Sequence, residues 1–191
     1  MEKIEFYGRM NSILGFIKTC CWCLLISIIF VNCIAKQCKV IGSSMYPYIK
    51  EGESVIVDLV SLHFTDIKRF DVVVAKNKKD DHLWVKRVIG LPNDTIQFKN
   101  EQLYINGTLV QEPFLNDRYI ASVLGANDSM SFTKDTKEIK LQNDEYFLVG
   151  DNRIRSLDSR DPNIGPFSKE DIVGKGWLVI YPFENIRFLS N

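Results

Sequence analysis

The feature that most limits what this chain can fold into is the apolar run ILGFIKTCCWCLLISIIFVNCIA at 13–35, broken only by Lys18 and the weakly polar Ser27 and Asn32. The uncharged part, 19–35, sits near the lower end of the roughly 17–25 residues that a membrane-crossing helix needs. Lys18 can extend its ammonium to the near headgroups and lengthen the usable span. Lys3, Arg9 and Lys18 precede the uncharged part, and Lys36 and Lys39 follow it. That excess on the leading side favours a cytoplasmic N-terminus. The pattern predicts a short cytoplasmic tail (1–12), a single transmembrane signal-anchor helix (13–35) and an extracytoplasmic domain (36–191). A cleaved secretory signal is the competing reading, and Cys33-Ile34-Ala35 offers a small-x-small site. Signal cores are about 7–15 residues long, so the length favours an uncleaved anchor. Either reading places the chain in the cell membrane or beyond it.

What remains, in a chain of 191 residues, is one domain of ordinary size. The 46% hydrophobic content suffices for a packed core. Formal charge balances to zero with no long basic run, so no nucleic-acid partner is expected. All five cysteines (Cys20, Cys21, Cys23, Cys33, Cys38) lie in or beside the apolar segment. Beyond Cys38 there is no thiol for a disulfide, a zinc site or a nucleophile, and two dispersed histidines give no ligand spacing. No metal and no cofactor is expected.

After the anchor the periodicity changes to short β-type runs bounded by turn residues. SVIVDLV from Ser54, DVVVAK from Asp71, LWVKRVIG from Leu83, TIQFK from Thr95, EYFLVG from Glu145 and GWLVIYPF from Gly176 read as strands. QLYING closes on Asn106-Gly107, a hairpin signal, and Thr108-Leu109-Val110 returns. The stretch beginning at Ser168 can cap one short helical turn. Residues 111–140 are polar and weakly patterned, an excursion from the core sheets. The fold class is all-β: antiparallel sheets and hairpins on one N-terminal helix.

Four positions raise the question of chemistry. Ser44, in GSSMYP just past the anchor, taken alone fits a turn former. His63 and His82 lie in settings that read as partial packing and solvated turn, which argues against a histidine base. A lysine can replace it only if held neutral. Its ordinary value near 10.4 leaves about one free amine in a few thousand at pH 7, and burial lowers that value by up to 3–5 units. Lys86, flanked by Trp84, Val85, Val88 and Ile89, fits that requirement. Two-residue alternation puts it on the face of Trp84 and Val88, with Arg87 opposite. By itself the same pattern also fits a surface lysine on a half-buried strand.

The combination resembles the type I signal peptidases of Gram-positive bacteria. SSMYP supplies a Ser-Met-x-Pro motif (Ser44, Met45, Pro47), and VKRVIGLPND supplies a Lys-Arg-Val strand and its turn (Lys86, Arg87, Pro92, Asp94). GDNRIRSLDSR then supplies Gly150–Arg153 together with Ser156, Asp158, Ser159 and Arg160. The likeness runs from Val40 to the C-terminus. It implies a signal-peptidase-like antiparallel β-sheet catalytic domain and a serine endopeptidase that removes signal peptides from preproteins. Ser44 would be the nucleophile, Lys86 the general base, and an acyl-enzyme the intermediate. Ser156 would orient the lysine amine, the Ser44 amide would help hold the oxyanion, and Asp158 with Arg160 would brace the loop as an ion pair.

The resemblance further implies a monomer working on substrates with small residues one and three positions before the cut. Val40, Ile41, Ile49, Trp84 and Val85, apolar and near the dyad in sequence, are the candidate lining. Where relatives carry threonine this chain has Tyr48, and Asn93 replaces the glycine of the turn after the lysine strand; asparagine tolerates the left-handed backbone. Gly42 has no hydroxyl for the oxyanion, so the second donor is open. The alternatives are a noncatalytic scaffold assisting secretion or pilus assembly, which would need neither Ser44 nor Lys86, and a self-cleaving repressor-like protein, which would not begin with a span.

Overall fold

A computed structural model describes residues 2–77, 82–125 and 130–189. The chain forms two compact units, 1–36 and 37–191. The first contains helix α1 (Glu2–Ile34). Its described side chains, 13–29, are exposed, including Leu14, Phe16, Trp22 and Leu24. Among the described residues, no helix is long and apolar enough to cross a membrane. The helix begins well before residue 13, and Ala35 already belongs to the following strand.

Among the described residues the second unit is built on twelve strands in chain order: β1 (Ala35–Lys39), which begins in the first unit, β2 (Ser54–Asp58), β3 (Val72–Lys76), β4 (Leu83–Gly90), β5 (Thr95–Lys99), β6 (Gln102–Ile105), β7 (Thr108–Val110), β8 (Ile139–Lys140), β9 (Glu145–Val149), β10 (Phe167–Ser168), β11 (Ile172–Tyr181) and β12 (Arg187–Phe188). The larger sheet runs β1-β2-β11-β3-β4-β9-β10, with β12 on β11, and the smaller runs β7-β6-β5-β8. The pairings from β2 through β12 are antiparallel. The all-β expectation therefore holds for the core of the second unit.

The apolar runs form strands because their side chains alternate between two buried surfaces. Val73, Ala75, Val88 and Leu148 meet Phe167 and Ile172 in one core, while Val55, Val72 and Val179 meet Met45 and Ile49 in another. A third core, around Ile96, Phe98, Leu103 and Phe147, joins the smaller sheet to the larger. β4 passes through all of this. Its first residue, Leu83, is exposed and its last five are buried. Strand alternation turns Val88 toward the first core and Ile89 toward the third, and the pairing with β9 is irregular between Val88 and Gly90. Gly90 lets the Leu141 and Ile96 side chains pack against the strand, since a Cβ there would meet them at 2.7 and 2.9 Å and force them to shift.

Two local expectations are met. Asn93 takes φ 68°, the left-handed value its turn demands, and the Leu91 amide donates to Asp94 to close it. Ser168 and Asp171 form a reciprocal cap on the short turn Lys169–Asp171. The excursion at 111–140 is more ordered than its polar pattern suggests. It contains helix α2 (Asp117–Leu124), whose first turn is capped by Asn116 Oδ1 accepting from the Tyr119 amide at 2.9 Å.

Candidate active site

The segment after β1 is closed at its base. Val40 donates to the Glu53 carbonyl at 2.8 Å and accepts from the Gly52 amide at 2.9 Å. Inside this loop Met45 and Ile49 are buried with Val55 in the core, which pins the turn and leaves Ser44 at its rim. Arg187 pairs with buried Glu53 at 2.7 Å and donates to the Tyr48 carbonyl, tying the C-terminal segment to the same loop. Ser44 is thus held by apolar anchoring beside it rather than by its own side chain.

Lys86 lies on β4 opposite Val73 of β3 and is 4% exposed. Its ammonium sits 5.2 Å from the Trp84 ring centroid. Among the described residues it has no salt-bridge partner. Its neighbour Arg87, fully buried on the other face, donates to both oxygens of Asp151 at 2.8 and 2.6 Å. Two adjacent cations are therefore treated oppositely: one receives a carboxylate, the other does not. Burial pushes the Lys86 amine down from 10.5 to about 8; Asp158 opposes the shift, Arg160 reinforces it, and Asp151 opposes it.

Ser44 and Lys86 line one groove of about 750 Å³. Its walls include Val40, Ile41, Trp84 and Val85, as the sequence suggested, and also Cys38, Lys39, Met45, His82, Leu83, Arg155 and Leu157, which it did not. Ile49, offered above as a lining residue, is absent from this wall. It is 0% exposed and packs in the core beneath the turn. The polar lining missed from sequence (Lys39, His82, Arg155) carries no local signature, because only the pairing of β4 with β3 and the path of the later loop bring these residues together.

The loop that follows β9 holds the Ser44 turn from behind. The Asn152 amide donates to the Ser44 carbonyl at 3.0 Å, and Asn152 Nδ2 donates to the Ser43 carbonyl at 2.9 Å. Gly150 sits so close to this turn that a Cβ would overlap the Ser44 carbonyl oxygen and Ser156 Oγ. The Gly150 amide donates to Asp158 at 3.0 Å. Asp158, 0% exposed, takes a bidentate pair of bonds from Arg160 at 2.8 and 2.9 Å, and Arg160 also donates to the Arg153 carbonyl at 2.9 Å. Desolvation pushes the Asp158 carboxyl up, but the Arg160 pair and the Gly150 amide outweigh it and hold the carboxyl below its ordinary range.

Ser156 Oγ is buried and makes no well-formed hydrogen bond, although it lies near enough to Asp158 to favour its ionised form. The anticipated bond from Ser156 to the Lys86 amine is not formed in this structure.

A buried lysine with no salt bridge among the described residues and a serine held in place by its buried neighbours line the same groove. The family model described as signal peptidase, peptidase S26, matches residues 13–181. The chain belongs to that family. Signal peptidase I P of Bacillus subtilis subsp. natto is 35% identical over 98% of this chain and 98% of its own length. Signal peptidase I S of Bacillus subtilis (strain 168) is 37% identical over 97% of this chain and 98% of its own, and signal peptidase I U of that strain is 42% identical over 76% and 75%. As a signal peptidase, the protein is a serine endopeptidase that cleaves signal peptides.

Proposed function

We propose that this signal peptidase cuts exported preproteins with Ser44 as nucleophile and neutral Lys86 as its base. The observation that carries the reading is the 4% exposed, unpaired Lys86 amine, held at about 8, on the wall of the groove that Ser44 also lines. In the acylation step the Ser44 hydroxyl proton passes to Lys86 Nζ while Oγ bonds to the scissile carbonyl carbon. The carbonyl electron pair moves onto oxygen. As the intermediate collapses, the C–N bond breaks and the ammonium of Lys86 returns the proton to the leaving amine, which becomes the new N-terminus. Water, deprotonated by the same amine, then releases the acyl group.

The Ser44 amide is the first oxyanion donor in this scheme, and among the described residues no backbone carbonyl engages it. Asp158 and Arg160 brace the loop without touching the reaction. Ser156 lies against them and offers its unsatisfied hydroxyl once substrate excludes water. The substrate enters as an extended strand. β9 pairs with β4 only from Arg87 onward, so the edge of 83–86 is open to an added strand. Alternate side chains would then point at the wall of Val40, Ile41, Trp84 and Val85, where small residues one and three before the cut fit best.

In the same reading, α1 is a single-pass anchor. Its exposed apolar side chains would be poorly hydrated in water, and the apolar sequence continues past the described side chains to Ala35. The basic residues on the leading side of its uncharged stretch, Lys3, Arg9 and Lys18, orient the N-terminus to the cytoplasm and the catalytic unit outside. Every reacting group comes from one chain, so a monomer suffices.

The test uses the full chain in detergent with a synthetic preprotein, beside Ser44→Ala and Lys86→Ala. The parent should cleave, with hydroxylamine-sensitive acylation at Ser44, and both variants should be inactive. Cleavage that persists in either variant defeats the dyad. A parent that binds the preprotein but never cuts it would favour a scaffold.

A further inference from the structure

The segment 112–119 belongs to no motif of the family resemblance, yet it touches a neighbour of each catalytic element. Glu112 forms a buried ion pair with Arg153, whose Nε donates to the Gly150 carbonyl at 3.2 Å in the loop that holds the Ser44 carbonyl. Phe114 lays its ring against the guanidinium of Arg87, 4.1 Å from its centroid, next to Lys86 on β4. Tyr119, at the start of α2, meets Tyr46 edge-on with ring centroids 4.9 Å apart, two residues past Ser44.

We infer that this segment is a strap that sets the relative positions of Ser44, Lys86 and the Ser156 loop, with Glu112, Phe114 and Tyr119 as positioning residues. The inference rests on the dyad reading above. Each contact reaches a different element and adds side-chain links to those already made there by the β4–β9 pairing, the Asn152 bonds, the Arg87–Asp151 pair and the Arg87 guanidinium over the Tyr48 ring. A reaction between a serine and a lysine is steep in separation. A displacement of about 1 Å can cost on the order of a hundredfold in rate. A strap that only filled space would need no buried ion pair and no stacked cation at its contact points.

The side chains at the three contacts can be loosened separately. Tyr119 is the mildest, being only partly buried and at the edge of a short helix. Tyr119→Ala in the full detergent-solubilised chain should lower kcat about tenfold for a synthetic preprotein. KM should stay within about twofold and the melting temperature near the parent's, and Tyr119→Phe should restore the rate. Phe114→Leu should show the same split. Glu112→Gln strands Arg153 without its counter-charge, so its rate is divided by the folded fraction measured by circular dichroism. A kcat that follows only the folded fraction in all three variants, or a change confined to KM, overturns the strap. Ser44→Ala, run in parallel, separates the failures. An active Ser44→Ala defeats the dyad, whereas an inactive one beside three strap variants whose kcat follows only the folded fraction defeats only the strap.

Discussion

Replacing the proposed base should make the protein more stable at neutral pH while abolishing its activity. The Lys86 amine falls from 10.5 to about 8 in the folded protein. At about 1.4 kcal/mol for each tenfold change, that shift corresponds to roughly 3 kcal/mol. The unfolded chain holds this proton up to about 10.5, and the folded chain releases it near 8. Between those values the unfolded state binds more protons, so stability rises with pH through the window. Below about pH 8 both states are protonated and the folded protein carries the full penalty. Lys86→Met keeps the stem and removes the charge, so it should gain about 3 kcal/mol at pH 7, or roughly 6–12 °C in melting temperature for a domain of this size. The gain should fade as the pH approaches 10.5. The assay is a pair of thermal melts in detergent, parent and variant, at half-unit steps from pH 6 to 10.5. A variant no more stable than the parent at pH 7, or a difference that does not change with pH, would refute the burial of an unpaired ammonium.

Other outcomes follow from the same geometry. Gly150→Ala places a methyl group against the Ser44 carbonyl and Ser156 Oγ, and kcat/KM for a synthetic preprotein should fall by about a hundredfold or more. Asp158→Asn leaves the Arg160 guanidinium without its partner and should destabilise the fold by about 3–5 kcal/mol in urea melts. Because the Asp158 carboxyl is depressed, its contribution is present above 3.8 and is lost as pH falls through its lower folded value, so the gap between parent and variant should narrow in acid. The described groove wall holds Lys39 and Arg155 and no carboxylate, so peptides with Asp beside the cut should be cleaved a few-fold faster than those with Lys. Arg155→Glu should reverse that ratio, and an unchanged ratio would exclude Arg155 from recognition.

Much of the site could be read before any coordinates because its signals are local. β4 runs from Leu83 to Gly90, matching LWVKRVIG residue for residue, since apolar flanks and alternation fix both the strand and the face that Lys86 shares with Trp84. The turn at Asn93 and the cap at Ser168 are legible for the same reason. Ile49 was misplaced because nearness in sequence says nothing about which side of a turn a residue takes; here it faces the core. The short α2 escaped notice because it spans Asp117–Leu124, too few residues to impose a helical period against its polar surroundings. The contacts of Glu112, Phe114 and Tyr119 join residues separated by 41, 27 and 73 positions, and no local pattern encodes such pairings.

The most direct measurement is a titration of the Lys86 side chain itself. Lysines labelled at the ε-carbon, in the full chain in micelles, give a resonance assigned by its loss in Lys86→Met. A midpoint near 8 is the predicted result. A midpoint at the ordinary value near 10.4 would contradict it, because such an amine is solvated and has almost no neutral form with which to take a proton from Ser44.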